Sequence, residues 1–91
     1  MLVGISRTGR VIIGRLDRGS DLTESLLHIC STEEVRCGEI RALGALSRVE
    51  ICAYDQKAQK YGPPRSYRGN LEILSLSGNV SEKKGELACH L

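Results

Sequence analysis

The segment that decides the fold is LEILSLSGNV, residues 71–80, close to the end of the printed chain. It alternates over ten residues with no Pro, which predicts a β-strand. Under strict alternation its residues divide between two faces, Leu71, Ile73, Ser75 and Ser77 on one, and Glu72, Leu74, Leu76 and Gly78 on the other. Because both faces hold apolar residues, the pattern predicts a central strand that is covered on each side.

The residues that follow this strand predict a hairpin. SEKKGE, residues 81–86, has the composition of a turn, and LACHL, residues 87–91, begins a return strand. The alternation reaches Leu91 with no terminating signal. A strand that stops in mid-alternation predicts a domain whose C-terminal part is incomplete.

The residues that precede the central strand predict one helix and further strands. GRVIIGRL, residues 9–16, is rich in β-branched residues and predicts a strand. Asp21, with Glu24 three residues on, has the spacing of a capping box and predicts the start of an amphipathic helix of about three turns lying on a sheet. Residues 39–55 predict strand structure, and Gly44 within them predicts a bulge or a sharp turn between two strands.

These elements predict a single α+β domain over residues 1–91, with a mostly antiparallel sheet packed against one main helix. A chain of 91 residues buries only about two-thirds of the surface that its unfolded form exposes, so self-association would help it. The 3% aromatic content, with no Trp or Phe, leaves the core to Leu, Ile, Val and Ala.

Charge and cysteine content limit the classes of function. The net charge of +2 is too small to predict nucleic-acid binding, and a mild cluster of arginines at residues 7–18 is more typical of a mixed, solvated surface than of a phosphate-facing patch. Four cysteines without a C-x-x-C motif, and no signal peptide before them, predict free thiols in a cytoplasmic protein. No apolar run approaches the length of a membrane span.

Four motifs in order resemble a known family, the plant-and-prokaryote-conserved domain. They are LDRGSDL at the helix start, GALS at residues 44–47, GNLEIL at residues 69–74, which is similar to the family's Gly-x-x-Glu-Ile-Leu signature, and the SLSG that follows. The resemblance extends over residues 9–91. It implies an antiparallel sheet packed with helices and a homotrimer. The plant members carry an AT-hook for DNA binding, and this chain has no Arg-Gly-Arg-Pro.

The resemblance also implies a candidate metal ligand. In the family, the strand that matches ELACHL continues through a His-x-His and into further elements, and some prokaryotic relatives resemble zinc proteins in this region. His90 would be the first His of that pair. We therefore expect either a chain that continues beyond residue 91 or a naturally short member that completes its sheet by pairing with another chain. Zinc needs three or four ligands, and Cys89 cannot readily be one of them because neighbours on a strand point to opposite faces.

Other candidate residues have structural interpretations. His28 is expected to be a surface or partly buried helix residue, and no catalytic group or cofactor-binding loop is recognisable, so the sequence leaves open whether the protein is an enzyme. Glu72 is expected to need a partner if its strand is buried, and an arginine at position 41, 48 or 68 could pair with it within the subunit or across a trimer interface. The alternative is a catalytic or ligand-binding role for Glu72. Gly44 and Gly69 are likewise predicted to be structural or interface residues.

Two hypotheses of function follow. The first is an uncharacterised stand-alone prokaryotic domain that acts as a homotrimeric binding or regulatory module, with DNA as a candidate partner. The second is a zinc-dependent enzyme or small-ligand-binding protein whose site lies at a subunit interface near His90.

Overall fold

A computed structural model describes residues 1–91 and contains one helix and five strands. They are α1 (Leu22–Thr32), β1 (Gly38–Ile51), β2 (Tyr54–Asp55), β3 (Lys60–Tyr61), β4 (Arg65–Lys83) and β5 (Glu86–His90). Three strands form a sheet in the order β1-β4-β5, and β2 pairs with β3 in a separate small hairpin. Every pairing is antiparallel. The α+β prediction is therefore confirmed.

Helix α1 begins where the capping pattern predicts. The carboxylate of Asp21 accepts a hydrogen bond from the backbone N–H of Glu24, with 2.9 Å between the two heavy atoms. This bond satisfies one of the donors that the first turn leaves free. The Cα atoms of the helix come within 8 Å of those of β5 and of no other strand. It therefore covers one margin of the sheet, and the expectation of a helix laid across the sheet is only partly met.

The central strand and the closing hairpin are confirmed. Strand β4 lies between β1 and β5 and extends over 19 residues, well beyond the ten that the sequence pattern marks. The turn into β5 contains Lys84 with a φ of 53° and Gly85 with a φ of 81°. A backbone in this left-handed region is easiest for glycine, which explains why a Gly stands in this turn.

A bulge in β4 overturns the strict alternation. Ala42 pairs with Leu76 and Gly44 pairs with Ile73, so two residues of β4, Leu74 and Ser75, lie opposite Leu43 alone. The extra residue reverses which side chains face which side. Consequently Leu76 shares a face with Ile73, and the prediction that they face opposite ways is wrong.

Gly44 of β1 lies at this bulge. Strand β1 continues through it from Gly38 to Ile51, so the prediction of a bulge is confirmed and the alternative of two strands joined by a sharp turn is wrong. Gly44 has a φ of 149°. A second register shift lies between the pairs Leu46–Leu71 and Arg48–Arg68, and Gly69 within it has a φ of 127°.

The core of this chain is small. Only Cys30 of α1 and Val80 of β4 are buried, and Val80 is 3% exposed. Leu74 is 84% exposed and Leu43 is 82% exposed. The face of β4 that carries Leu74, opposite Leu43, is therefore open, and the prediction that β4 is covered on each side is wrong.

Residues 9–16 do not form a strand. No strand precedes α1, and Val11 and Ile13 are 76% and 91% exposed. The predicted strand is wrong here because a β-branched run becomes a strand only when another strand pairs with it. A polar contact ties this segment to the end of α1, since Arg10 donates a hydrogen bond to the backbone carbonyl of Glu33 and its guanidinium lies 3.8 Å from the Glu33 carboxylate.

The chain is less compact than a globular domain of its length, and it forms fewer backbone hydrogen bonds. The radius of gyration is 15.2 Å, whereas a compact chain of this length has about 12 Å. There are 34 backbone–backbone hydrogen bonds, whereas roughly 60 are typical of a globular chain of this length. Many backbone groups are thus open to water or to another chain. No helix here is both long and apolar enough to span a membrane.

Candidate binding surfaces

His90 lies at the end of β5, on an open polar pocket built by three strands. Its Cα pairs with that of Asn79 on β4, and Asn79 pairs in turn with Glu39 on β1. The pocket has a volume of about 470 Å³. It is lined by Glu39, Ile40, Arg41, Ser77, Gly78, Asn79, His90 and Leu91.

The polar groups of this pocket are mostly hydrogen-bond donors or groups that can donate. Arg41 supplies a guanidinium, Asn79 an amide, Ser77 a hydroxyl and His90 an imidazole. Glu39 supplies the one carboxylate. Neither Glu39 nor Arg41 has an ion-pair partner within 4.0 Å. The pocket can therefore accept a small polar group without breaking an existing ion pair.

Gly78 fixes how closely β5 approaches β4. A Cβ at this position would overlap the backbone carbonyl oxygen of His90 and would lie 2.9 Å from the Cα of Leu91. A residue with a side chain cannot be placed here unless the end of β5 moves. The close approach of His90 and Leu91 to β4 therefore depends on the absence of a side chain at position 78.

Cys89 faces away from the His90 pocket. It pairs with buried Val80, and desolvation, with a smaller effect of nearby Cys30, raises the pKa of its thiol. Burial disfavours the thiolate that a metal or an electrophile would need. All four cysteines are free thiols.

The side chains present do not by themselves form a metal site. No group of three or more His, Cys, Asp and Glu side chains is close enough to hold a metal ion. His90 and Glu39 line the same pocket, but a structural or catalytic zinc needs at least three protein ligands. The other histidine, His28, is exposed on α1 and lines a different depression, beside Arg15 and Asp17.

Glu72 is not buried, so the prediction that it needs a partner within the chain is wrong. It lies opposite Ala45 on the face that α1 leaves open, and its side chain forms no ion pair with Arg41, Arg48 or Arg68. Exposure removes the need because water solvates the carboxylate. A role for Glu72, Gly44 and Gly69 at a subunit interface stays a prediction.

A second surface, which we call the ribbon tip, comprises residues 48–68 at the end of the β1–β4 ribbon farthest from β5. It contains all three aromatic residues, and the rings of Tyr54 and Tyr61 meet edge to face with centroids 5.2 Å apart. It also contains five of the basic residues, Arg48, Lys57, Lys60, Arg65 and Arg68. Sequence reasoning missed this surface, although the confinement of the tyrosines to residues 54–67 was a signal for it.

One carboxylate partly neutralises the ribbon tip. Glu50 accepts hydrogen bonds from Arg48 and from the Ser66 hydroxyl, the latter at 3.1 Å. These bonds, with the charge of Arg48 and that of Arg68, lower the pKa of Glu50. Glu50 is therefore ionised at neutral pH, where it offsets one of the two arginines that face each other across the ribbon.

Comparison with known proteins identifies the family. The model of the Plants and Prokaryotes Conserved (PCC) domain matches residues 4–91. The chain belongs to this family. The resemblance seen in the sequence motifs is thus confirmed, and the match covers nearly the whole chain.

Two solved structures are similar to this PCC domain. A metal-containing protein from Archaeoglobus fulgidus is 32% identical, with a TM-score of 0.77 over 93% of this chain and 64% of its own. A candidate DNA-binding protein from Bacteroides thetaiotaomicron is 24% identical, with a TM-score of 0.68 over 74% of this chain and 46% of its own. The PCC chain therefore spans less than two-thirds of the length of either. A search of curated proteins finds no significant match.

Proposed function

We propose that this PCC domain is a homotrimeric binding module with a DNA-associated regulatory role. The observation that carries the proposal is that only Cys30 and Val80 are buried. A folded chain with so small a core needs further apolar contact, and association with identical copies supplies it. The name of the Bacteroides relative supports DNA as the partner.

The open face of the β1–β4 ribbon is the surface that we assign to association. Leu43 and Leu74 lie opposite each other there at the bulge, and each is more than four-fifths exposed. Removing about 100–150 Å² of apolar surface per side chain from water contributes roughly 3 kcal/mol at about 25 cal/mol per Å². Ala45, opposite Glu72 on the same face, is small enough to let another chain approach.

Leu74→Arg is expected to dissociate the trimer. The guanidinium would have to lose its water in an apolar contact, so the mass measured by native mass spectrometry should fall from three chains to one at micromolar concentration. Thr32→Arg is the matched control, because it adds the same charge at the exposed end of α1 and should leave a trimer. A parent protein that is monomeric at these concentrations would contradict the proposal. A trimer that survives Leu74→Arg would place the interface elsewhere.

A second candidate is a zinc-dependent or small-ligand site at a subunit interface near His90. The pocket shared by Glu39, Arg41, Asn79 and His90 favours it, and the name of the Archaeoglobus relative supports a metal in the family. Because one chain does not supply three ligands, a metal here would need ligands from outside the residues of this pocket.

His90→Ala is expected to remove any tightly bound metal, whereas His28→Ala, which changes the other histidine, should retain it. Metal per chain is measured by plasma mass spectrometry after dialysis. Loss of metal from both variants, or from neither, would contradict a ligand role for His90. If the parent protein retains no metal, the metal site is ruled out and a polar small ligand is the remaining candidate for this pocket.

A further inference from the structure

The ribbon tip carries the positive charge of this protein. Residues 48–68 contain five basic and two acidic residues, a formal net charge of +3, whereas the rest of the chain contains eight basic and nine acidic residues. The whole-chain charge of +2 therefore conceals a tip that is basic and a remainder that is slightly acidic. A local patch attracts a polyanion even when the total charge is small.

The basic groups of the tip are free to contact a ligand. Arg48 pairs with Glu50, but no carboxylate lies within 4.0 Å of Lys57, Lys60, Arg65 or Arg68. All four are exposed. Asp55, the other acidic residue, is already engaged, since its carboxylate accepts the backbone N–H groups of Lys57 and Ala58 at 2.9 and 3.1 Å. The positive charge is thus available to phosphates.

The tyrosines of the tip present their rings to solvent. Tyr54 and Tyr61 are 51% and 63% exposed, and Tyr67 is 46% exposed. The register places Tyr67 on the same face of the ribbon as Arg65, two residues away. Flat rings beside free cations are the combination that binds single-stranded nucleic acid, because bases stack on the rings and phosphates pair with the cations.

We infer that the ribbon tip binds single-stranded nucleic acid, with Tyr61, Tyr54 and Tyr67 as stacking groups and the four free cations as phosphate contacts. This rests on the binding role proposed above and names the surface and the ligand class. Stacking requires unpaired bases, so single strands bind more tightly than a duplex of the same sequence. DNA and RNA share the phosphates and the bases, and the two are tested side by side.

The test uses the full chain and fluorescein-labelled 20-nucleotide strands of DNA and of RNA, with the matching DNA duplex. Affinity is measured by fluorescence polarisation between 50 and 200 mM salt. Tyr61→Ala is expected to weaken single-strand binding about tenfold, as the loss of one stacked base does, with the salt slope unchanged. Tyr61→Phe should bind like the parent. Arg65→Ala should reduce the slope of log affinity against log salt by about 0.7.

Lys84→Ala is the matched control, since it removes one exposed cation at the β4–β5 turn, the opposite end of β4. It should change neither affinity nor slope. The inference is overturned if Lys84→Ala weakens binding as much as Arg65→Ala, if Tyr61→Ala binds like the parent, or if the duplex binds as tightly as the single strand. Should Tyr61→Ala not fold, Tyr67→Ala makes the same test from within β4.

The oligomeric state is read by native mass spectrometry in the same samples. A trimer that binds no single strand overturns this inference alone and leaves the association proposal in place. A monomer that binds single strands through Tyr61 overturns the association proposal alone and leaves this inference in place.

Discussion

Val80→Asp is expected to unfold most of the protein at neutral pH. Val80 is 3% exposed, and the two residues that pair with it across the sheet, Gly38 and Cys89, offer no positive charge. An unpaired carboxylate in such a place costs about 3–5 kcal/mol. Native domains have total stabilities of about 5–15 kcal/mol, and a chain with so small a core lies at the low end, so this loss is most of the free energy of unfolding.

The defect should depend on pH. Burial raises the pKa of the introduced carboxyl in the folded protein above its unfolded value of about 3.9. Below that value the group is protonated in both states and the charge penalty is absent. The penalty grows as the pH rises from about 3.9 to the raised pKa. The difference in unfolding free energy between the parent and Val80→Asp should therefore be smallest in acid.

Ser81→Asp is the matched control for this prediction. It adds the same carboxyl one residue away, at an exposed position of β4, and should change stability by no more than about 0.5 kcal/mol. Urea unfolding followed by circular dichroism compares the three proteins at one protein concentration, because association makes stability depend on concentration. Equal midpoints for the two variants would show that Val80 does not lie in the core.

The features that the sequence predicted correctly are local ones. The Asp21–Glu24 cap lies within four residues, and the Lys84-Gly85 turn is set by two residues whose backbone conformation Gly favours. Both are determined by residues that are close together in the sequence and do not depend on contacts with distant segments. The central position of β4 was also predicted correctly, although the two-faced apolar pattern behind that prediction does not survive the bulge, which puts Leu76 on the face of Ile73.

The failed predictions concern features that depend on distant partners. Whether β4 has an extra residue at Leu74 is decided by its register with β1, thirty residues earlier, so strict alternation assigned Glu72 and Leu76 to one face. The strand predicted at residues 9–16 fails for a related reason, since its β-branched residues have no strand to pair with.

In the candidate sites too, the local features were predictable and those that depend on distant strands were not. His90 was singled out by a motif, but the neighbours that give it a pocket, Glu39 on β1 and Asn79 on β4, become its neighbours only through two strand registers. In the ribbon tip, Tyr54 and Tyr61 are seven residues apart in sequence and meet because β2 pairs with β3. The basic residues of the tip lie in one continuous stretch, so their concentration could be read from the sequence, whereas the meeting of the two rings depends on the strand pairing.

Gly78→Ala is expected to lower the free energy of unfolding by about 1–3 kcal/mol, the usual cost of overpacking. The new methyl group would overlap the carbonyl oxygen of His90 and approach the Cα of Leu91 to 2.9 Å. Both are backbone atoms, so relief requires the end of β5 to move away from β4. The movement would separate His90 from Asn79, and the imidazole proton resonances of His90 should shift in the NMR spectrum.

Gly38→Ala separates this effect from the general consequence of replacing glycine in a strand. A Cβ at Gly38 would lie 3.8 Å from a methyl carbon of Val35 and 4.0 Å from one of Val80, which are ordinary contacts. Its added methyl group therefore costs no strain, and the loss of freedom in the unfolded chain raises stability by up to about 1 kcal/mol. If the two variants lose equal stability, or if the His90 resonances shift in both, the close approach of β5 to Gly78 does not hold this sheet edge.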